Sequence, residues 1–121
     1  MPAGTDVLAG LELGGVPIAT ALGLATGLPV AFVRKAAKSY GTRRLAEGAE
    51  IEGRRVLVVE DVITSGGQVA ISTAELRDRG AVVDHVLCVV DRGEGGAERL
   101  AAVGLTVTAL FTATELRTAE L

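Results

Sequence analysis

Two adjacent carboxylates, Glu60 and Asp61, end the aliphatic run VLVV at 56–59, and Thr64-Ser65-Gly66-Gly67 follows after Val62 and Ile63. An ionised carboxylate only accepts hydrogen bonds, so its partners are donors such as the vicinal hydroxyls of a sugar. A small, hydroxyl-rich, glycine-rich turn that opens a helix supplies the complement. It offers backbone N–H groups with no intrahelical partner, a dipole that favours an anion, and glycines that let the anion approach. Acids for hydroxyls beside amides for a phosphate describe a site for a ribose phosphate. No Gly-Lys-Ser/Thr follows the turn, so it is not a Walker-type loop. The same residues would also serve as a solvated turn capping a helix. The hydrophobic strand running directly into the acids favours a site.

A second stretch carries the opposite charge. Residues 34–49, RKAAKSYGTRRLAEGA, hold Arg34, Lys35, Lys38, Arg43 and Arg44 with no acid before Glu47, and they fit neither a helical nor a strand period. We expect a long, exposed, mobile loop whose cations meet an anionic partner. Cations that close on charge developing in a leaving group are worth about 3 kcal/mol per well-aimed contact. A closing lid also keeps water from an activated sugar.

These residues need a frame. Strands are expected at 7–13, 30–33, 56–60, 82–90 and 105–111. Helices are expected at 16–26, with Pro17 in the first turn, at about 67–79, at 97–103 and at 113–120. Gly27 and Gly80 are read as helix stops. Strands alternating with helices indicate an α/β fold, a Rossmann-like parallel β-sheet flanked by helices. The loops at 14–15, 34–49, 60–67 and 91–96 then gather at the carboxyl ends of the strands, where such sheets bind ligands.

The composition agrees and excludes alternatives. The chain of 121 residues suits one domain, 1–121. Aromatics make up 2%, so the core must be aliphatic and base stacking on aromatic rings is excluded as a mode of nucleic-acid binding. A net charge of −3 gives no general affinity for nucleic acid or anionic membrane. No apolar run approaches the ~20 residues that span a bilayer. A single cysteine, Cys88, rules out an intrachain disulfide and a multi-cysteine metal site, and fits a reducing, cytoplasmic setting. Cys88 reads as core and His85 as an ordinary strand residue. Glu94, Glu98 and Arg99 read as solvated charges.

VLVVEDVITSGG resembles the phosphoribosyl pyrophosphate (PRPP) motif of type I phosphoribosyltransferases. LELGGVPIATALGLATGLPVAFVRKAAKSYGTRRLAEG and VVDRGEGG narrow the resemblance to the orotate phosphoribosyltransferase family, and it covers nearly the whole chain. The resemblance implies transfer of phosphoribose from PRPP to orotate, giving orotidine 5′-monophosphate and pyrophosphate in pyrimidine biosynthesis. Glu60 and Asp61 would hold the ribose hydroxyls. Val62, Ile63, Thr64, Ser65, Gly66, Gly67 and Gln68 would wrap the 5′-phosphate, with Thr64 also near the base. Arg34 and Lys35 would contact pyrophosphate. Lys38 would close over the leaving group, in a homodimer whose basic loop is shared between subunits. Arg92 would face the orotate carboxylate. Mg2+ would arrive with PRPP, with no fixed metal site.

Three positions depart from common family residues: Gly14, Ala36 and Tyr40. The chain also starts at what resembles the middle of the enzyme, without the N-terminal hood over the base. We therefore expect PRPP binding, poor orotate binding, weak turnover by the chain alone and an uncovered apolar face. A phosphoribosyltransferase for another base and a non-catalytic PRPP-binding regulator are the alternatives.

Overall fold

A computed structural model of the chain describes residues 1–35 and 46–118. The elements run β1 (Val7–Leu11), α1 (Gly15–Thr26), β2 (Val30–Val33), β3 (Ala46–Gly48), β4 (Arg55–Ile63), α2 (Gly67–Asp78), β5 (Val82–Asp91), α3 (Gly96–Ala101), β6 (Thr106–Thr112) and α4 (Ala113–Thr118). They build one six-stranded sheet in the order β3-β2-β1-β4-β5-β6. All neighbours are parallel except β3, which returns antiparallel to β2. Among the described residues no helix is long and apolar enough to cross a membrane.

Two strand expectations are corrected. Residues 46–48 were expected within a loop, yet they pair with Ala31–Val33 through a register that matches Phe32 to Glu47. A three-residue edge strand carries too little periodicity to be seen in sequence. Strand β4 also does not stop at Glu60. It continues through both acids to Ile63, because β5 offers partners as far as Asp91. The remaining boundaries move by one or two residues at most, and Gly27 closes α1 in the left-handed region with φ 77°.

The aliphatic patterning explains the layers. Val56 and Val58 of β4, Val83, Val86 and Cys88 of β5, Val69 and Leu76 of α2, and Leu100 of α3 share one buried cluster. In α2 the buried positions Val69, Ser72, Thr73 and Leu76 follow the helical period. On the other face, Leu8, Leu57 and Val59 pack with Ala19 of α1. Helix α1 covers β1, β2 and β4. Next to it an open groove of about 470 Å³ remains, lined in part by Leu22, Leu57, Leu87 and Leu110. Leu110 is 56% exposed there. The groove leaves apolar side chains open beside α1.

The chain runs from β1 outward to β2 and returns to β4 on the far side of β1. The order therefore reverses between β1 and β4, and ligands of open α/β sheets bind at the carboxyl ends flanking such a reversal. The Gly14-Gly15 turn follows β1 there, and residues 60–67 end β4.

Candidate functional site

Glu60 and Asp61 are both still in the strand, so the pleat sends their side chains to opposite faces. Glu60 falls on the side of Val56 and Val58, under α2 and α3. Asp61 falls on the side of Leu57 and Val59, toward α1. Its carboxylate rests against Gly14, where a Cβ would overlap it. Gly14 thus makes room for the acid. Each carboxylate also accepts the next backbone N–H: Glu60 Oε1 from Asp61 at 3.0 Å, and Asp61 Oδ1 from Val62 at 2.7 Å. A sugar that meets both acids has to lie across the strand's end rather than beside one face.

Glu60 is only 7% exposed. Burial pushes its carboxyl from the ordinary 4.5 up to about 7, against the lowering effect of the Asp61 N–H and the more distant Lys35 ammonium. Cys88, the cross-strand neighbour of Glu60, is raised to about 11 by burial and by the charges of Asp91 and Glu60. It is a core thiol and not a nucleophile.

Beyond Ile63 the chain turns through Thr64–Gly66 into α2. A cavity of about 260 Å³ opens there, lined by Glu60 and by Val62 through Val69. Among the described residues, no acceptor takes the N–H of Thr64, Ser65 or Gly66. The Gly67 N–H makes only a long 3.4 Å contact with Ser65 Oγ. Gly66 sits at φ 83°, which a glycine adopts without strain. The amides expected to cradle a phosphate are therefore free.

The expected polar side chains are less uniformly placed. Gln68 donates through Nε2 to Ser72 Oγ at 3.1 Å and to the Lys35 carbonyl at 3.4 Å, so it ties α2 to the start of the basic segment. Arg34 is paired with Glu47 Oε1 at 2.7 Å and is 18% exposed. Its Nε is buried with no partner among the described residues. Lys35 is exposed at the end of β2. Lys38, Ala36 and Tyr40 lie outside the described residues. Arg92 is exposed and reaches Glu94 Oε2 at 3.2 Å, while its backbone N–H donates to the Ile63 carbonyl at 3.0 Å.

Two contributors were not singled out as site residues. Arg99, expected as a solvated helix charge, donates from Nη1 to the Ser65 carbonyl at 3.1 Å. Gly96 abuts the Thr64 carbonyl, and a Cβ there would lie 2.7 Å from that oxygen. Neither role shows in charge or periodicity; only the pairing of β5 with β4 brings residues 92–99 to the turn. Among the described residues no group of three or more His, Cys, Asp or Glu side chains could hold a metal.

A mostly parallel sheet carrying an acidic pair and a free-amide turn at its reversal point is the frame of the phosphoribosyl transferase domain, which matches residues 2–112, and the chain belongs to that family. Its relatives within the family include orotate phosphoribosyltransferases. The enzyme of that name from Nocardioides sp. is 55% identical over 120 residues, spanning 99% of this chain and 67% of its own length. That of Methanocella arvoryzae is 45% identical over 116 residues, 96% of this chain and 66% of its own. Among solved structures, the Mycobacterium tuberculosis orotate phosphoribosyltransferase in complex with PRPP superposes with a TM-score of 0.82 at 39% identity, covering 93% of this chain and 65% of that one. The chain thus spans about two thirds of the length of these relatives.

Proposed function

We propose that this chain transfers the phosphoribosyl group of PRPP to orotate, giving orotidine 5′-monophosphate and pyrophosphate, as one core domain over 1–121. The observation that carries the reading is the run of unclaimed N–H groups at Thr64–Gly66, directly beyond a strand that carries Glu60 and Asp61 near its end at Ile63. The amides and the two hydroxyls of the turn take the 5′-phosphate. Glu60 and Asp61 receive the ribose hydroxyls across the strand's end. That leaves C1 and its diphosphate directed toward the basic side of the rim.

Breaking the bond from C1 to the diphosphate leaves a cationic sugar and a leaving group rich in negative charge. Lys35, Arg34 and Lys38 are the cations that meet this charge, and one well-aimed contact lowers the barrier by about 3 kcal/mol. Arg34 joins only by exchanging Glu47 for phosphate oxygen. Arg92 has the matching exchange to make, giving up Glu94 for the orotate carboxylate. The carboxylates of Glu60 and Asp61 are hard oxygen donors suited to Mg2+, and they fit an ion that comes with PRPP rather than one held permanently by the protein. When bound, Mg2+ would neutralise charge on the diphosphate.

A cytoplasmic setting suits the free Cys88. The open apolar groove supports association with a second copy, whose basic loop would serve the neighbouring site; sedimentation across a concentration series tests this, and a strict monomer would refute it.

Calorimetric titration with PRPP–Mg2+, and separately with orotate, tests the main reading. PRPP binds measurably, and Asp61→Ala weakens it about tenfold or more, since it removes a charged acceptor of hydroxyls. Mixing both substrates releases pyrophosphate. A chain that takes up no PRPP, or whose affinity ignores Asp61→Ala, overturns the reading.

A further inference from the structure

Three consecutive carbonyls of the turn face one segment of chain. The Ile63 oxygen accepts the Arg92 N–H at 3.0 Å, the Thr64 oxygen abuts Gly96, and the Ser65 oxygen accepts Arg99 Nη1 at 3.1 Å. In a planar trans peptide the C=O and the following N–H point in opposite directions. Turning these carbonyls toward residues 92–99 therefore turns the N–H groups of Thr64, Ser65 and Gly66 away from that segment. This is why the amides are free without any ligand to hold them.

The three anchors are unequal. Ile63 is held by backbone, and Thr64 by packing against a buried glycine. Ser65 is held by one exposed side chain. The Ser65–Gly66 peptide is also the one most able to turn over. Gly66, at φ 83° and ψ 2°, has the angles of the third residue of a type II turn, and reversing the peptide before it gives a type I turn at little cost. Reversed, the Ser65 carbonyl would confront the anion, and the Gly66 N–H would no longer reach it.

We propose that Arg99 is a positioning residue of this turn: its guanidinium locks the Ser65–Gly66 peptide in the orientation that presents the Gly66 N–H to a sugar 5′-phosphate. Arg99 does not itself touch the phosphate; it acts through the Ser65 oxygen. The inference rests on the sugar-phosphate reading of the site.

Ribose 5-phosphate is the probe, titrated into the wild-type chain and into Arg99→Met, Arg99→Gln and Arg99→Lys, with melting curves alongside. Arg99→Met weakens binding about tenfold, the scale of a lost hydrogen bond to a charged donor. Gln and Lys recover part of the loss, because each still has a donor for the carbonyl. Amide NMR at saturating ligand supplies the decisive signal. In wild type the Thr64, Ser65 and Gly66 amides all shift on binding; in Arg99→Met the Gly66 shift is lost and the other two persist.

Binding by Arg99→Met within twofold of wild type overturns the proposal. So does a Gln variant as weak as Met with a deficit that vanishes in high salt, which would mark a general charge effect. Parallel loss of all three shifts with a fallen melting temperature would mark a merely structural role and overturn it as well. If the wild-type chain binds no ribose 5-phosphate, the sugar-phosphate reading fails first and takes the proposal with it.

Discussion

The two halves of the rim differ in how much of the site exists before a ligand arrives. The phosphate half, from Ile63 to Gly67, is built from backbone. Its carbonyls are drawn off by residues 92–99, and its amides stand free over a cavity. The cationic half is built from side chains, and its two described arginines are engaged: Arg34 with Glu47, Arg92 with Glu94. The reason is chemical. A backbone N–H can be aimed by turning a peptide, and no nearby acid must neutralise it. A guanidinium without a ligand pairs with whichever carboxylate is close. On the proposed reading the phosphate half is therefore preorganised, while Arg34 and Arg92 exchange partners as substrate binds.

The largest test removes the support of the preorganised half. Leu100 is fully buried, and its side chain lies beneath Gly66, where an added Cβ would be 3.2 Å from Leu100 Cγ. Leu100→Ala should cost about 3 kcal/mol of stability. It should also weaken ribose 5-phosphate more than it weakens pyrophosphate, which draws on the cationic half. Equal losses for the two ligands would erase the contrast. Denaturant unfolding and titration give both numbers.

Next comes Glu60, the acid on the supported side. Its folded carboxyl titrates near 7 against an ordinary 4.5, because burial disfavours the charge. Below about pH 4.5 folded and unfolded chains both hold the proton. Between 4.5 and 7 the folded chain alone holds it, so stability falls as pH rises through that interval and is level above it. Glu60→Gln removes the dependence and should stabilise the chain at pH 8 by on the order of 2 kcal/mol. Melting curves from pH 4.5 to 8 check this; a wild-type profile matching the Gln variant would show that Glu60 ionises freely.

The same contrast divides what was legible in the sequence. The phosphate half was readable because its signal is contiguous: an aliphatic run, two acids and a Thr/Ser/Gly turn lie within a dozen residues. The alternation of elements gave the sheet for the same reason. The partners of the cationic half were not readable. Glu47 reaches Arg34 only because 46–48 folds back on β2 as an edge strand, a pairing too short to leave a period. The opposite facing of Glu60 and Asp61 depended on β4 running on to Ile63, which β5 dictates rather than the local sequence. Arg99 looked like any helix-surface charge, because its acceptor is a carbonyl 34 residues away in the chain.

Smaller effects should come from freeing the cations. Glu47→Gln removes the charge that pairs with Arg34 at 2.7 Å on the edge strand and leaves only a neutral amide oxygen as acceptor. Breaking the pair should cost under about 1 kcal/mol of stability, since Glu47 remains partly solvated. Pyrophosphate no longer has to displace it, so affinity should rise about threefold, within the range of one such pair. Unchanged or weaker pyrophosphate binding would mean that Arg34 belongs to the scaffold and never reaches the leaving group.

Glu94→Gln is the mildest change and the sharpest control. The Arg92–Glu94 pair is exposed on both sides and spans 3.2 Å, so solvent already screens most of its energy. Stability should stay within about 0.5 kcal/mol of wild type. Because Arg92 is read as facing the base, the gain, no more than about twofold, should appear for orotate and not for pyrophosphate or ribose 5-phosphate. Calorimetry with the three ligands separates these outcomes. A gain shared by all three would reduce Arg92 to a diffuse positive charge at the rim, and the cationic half would no longer divide into a leaving-group side and a base side.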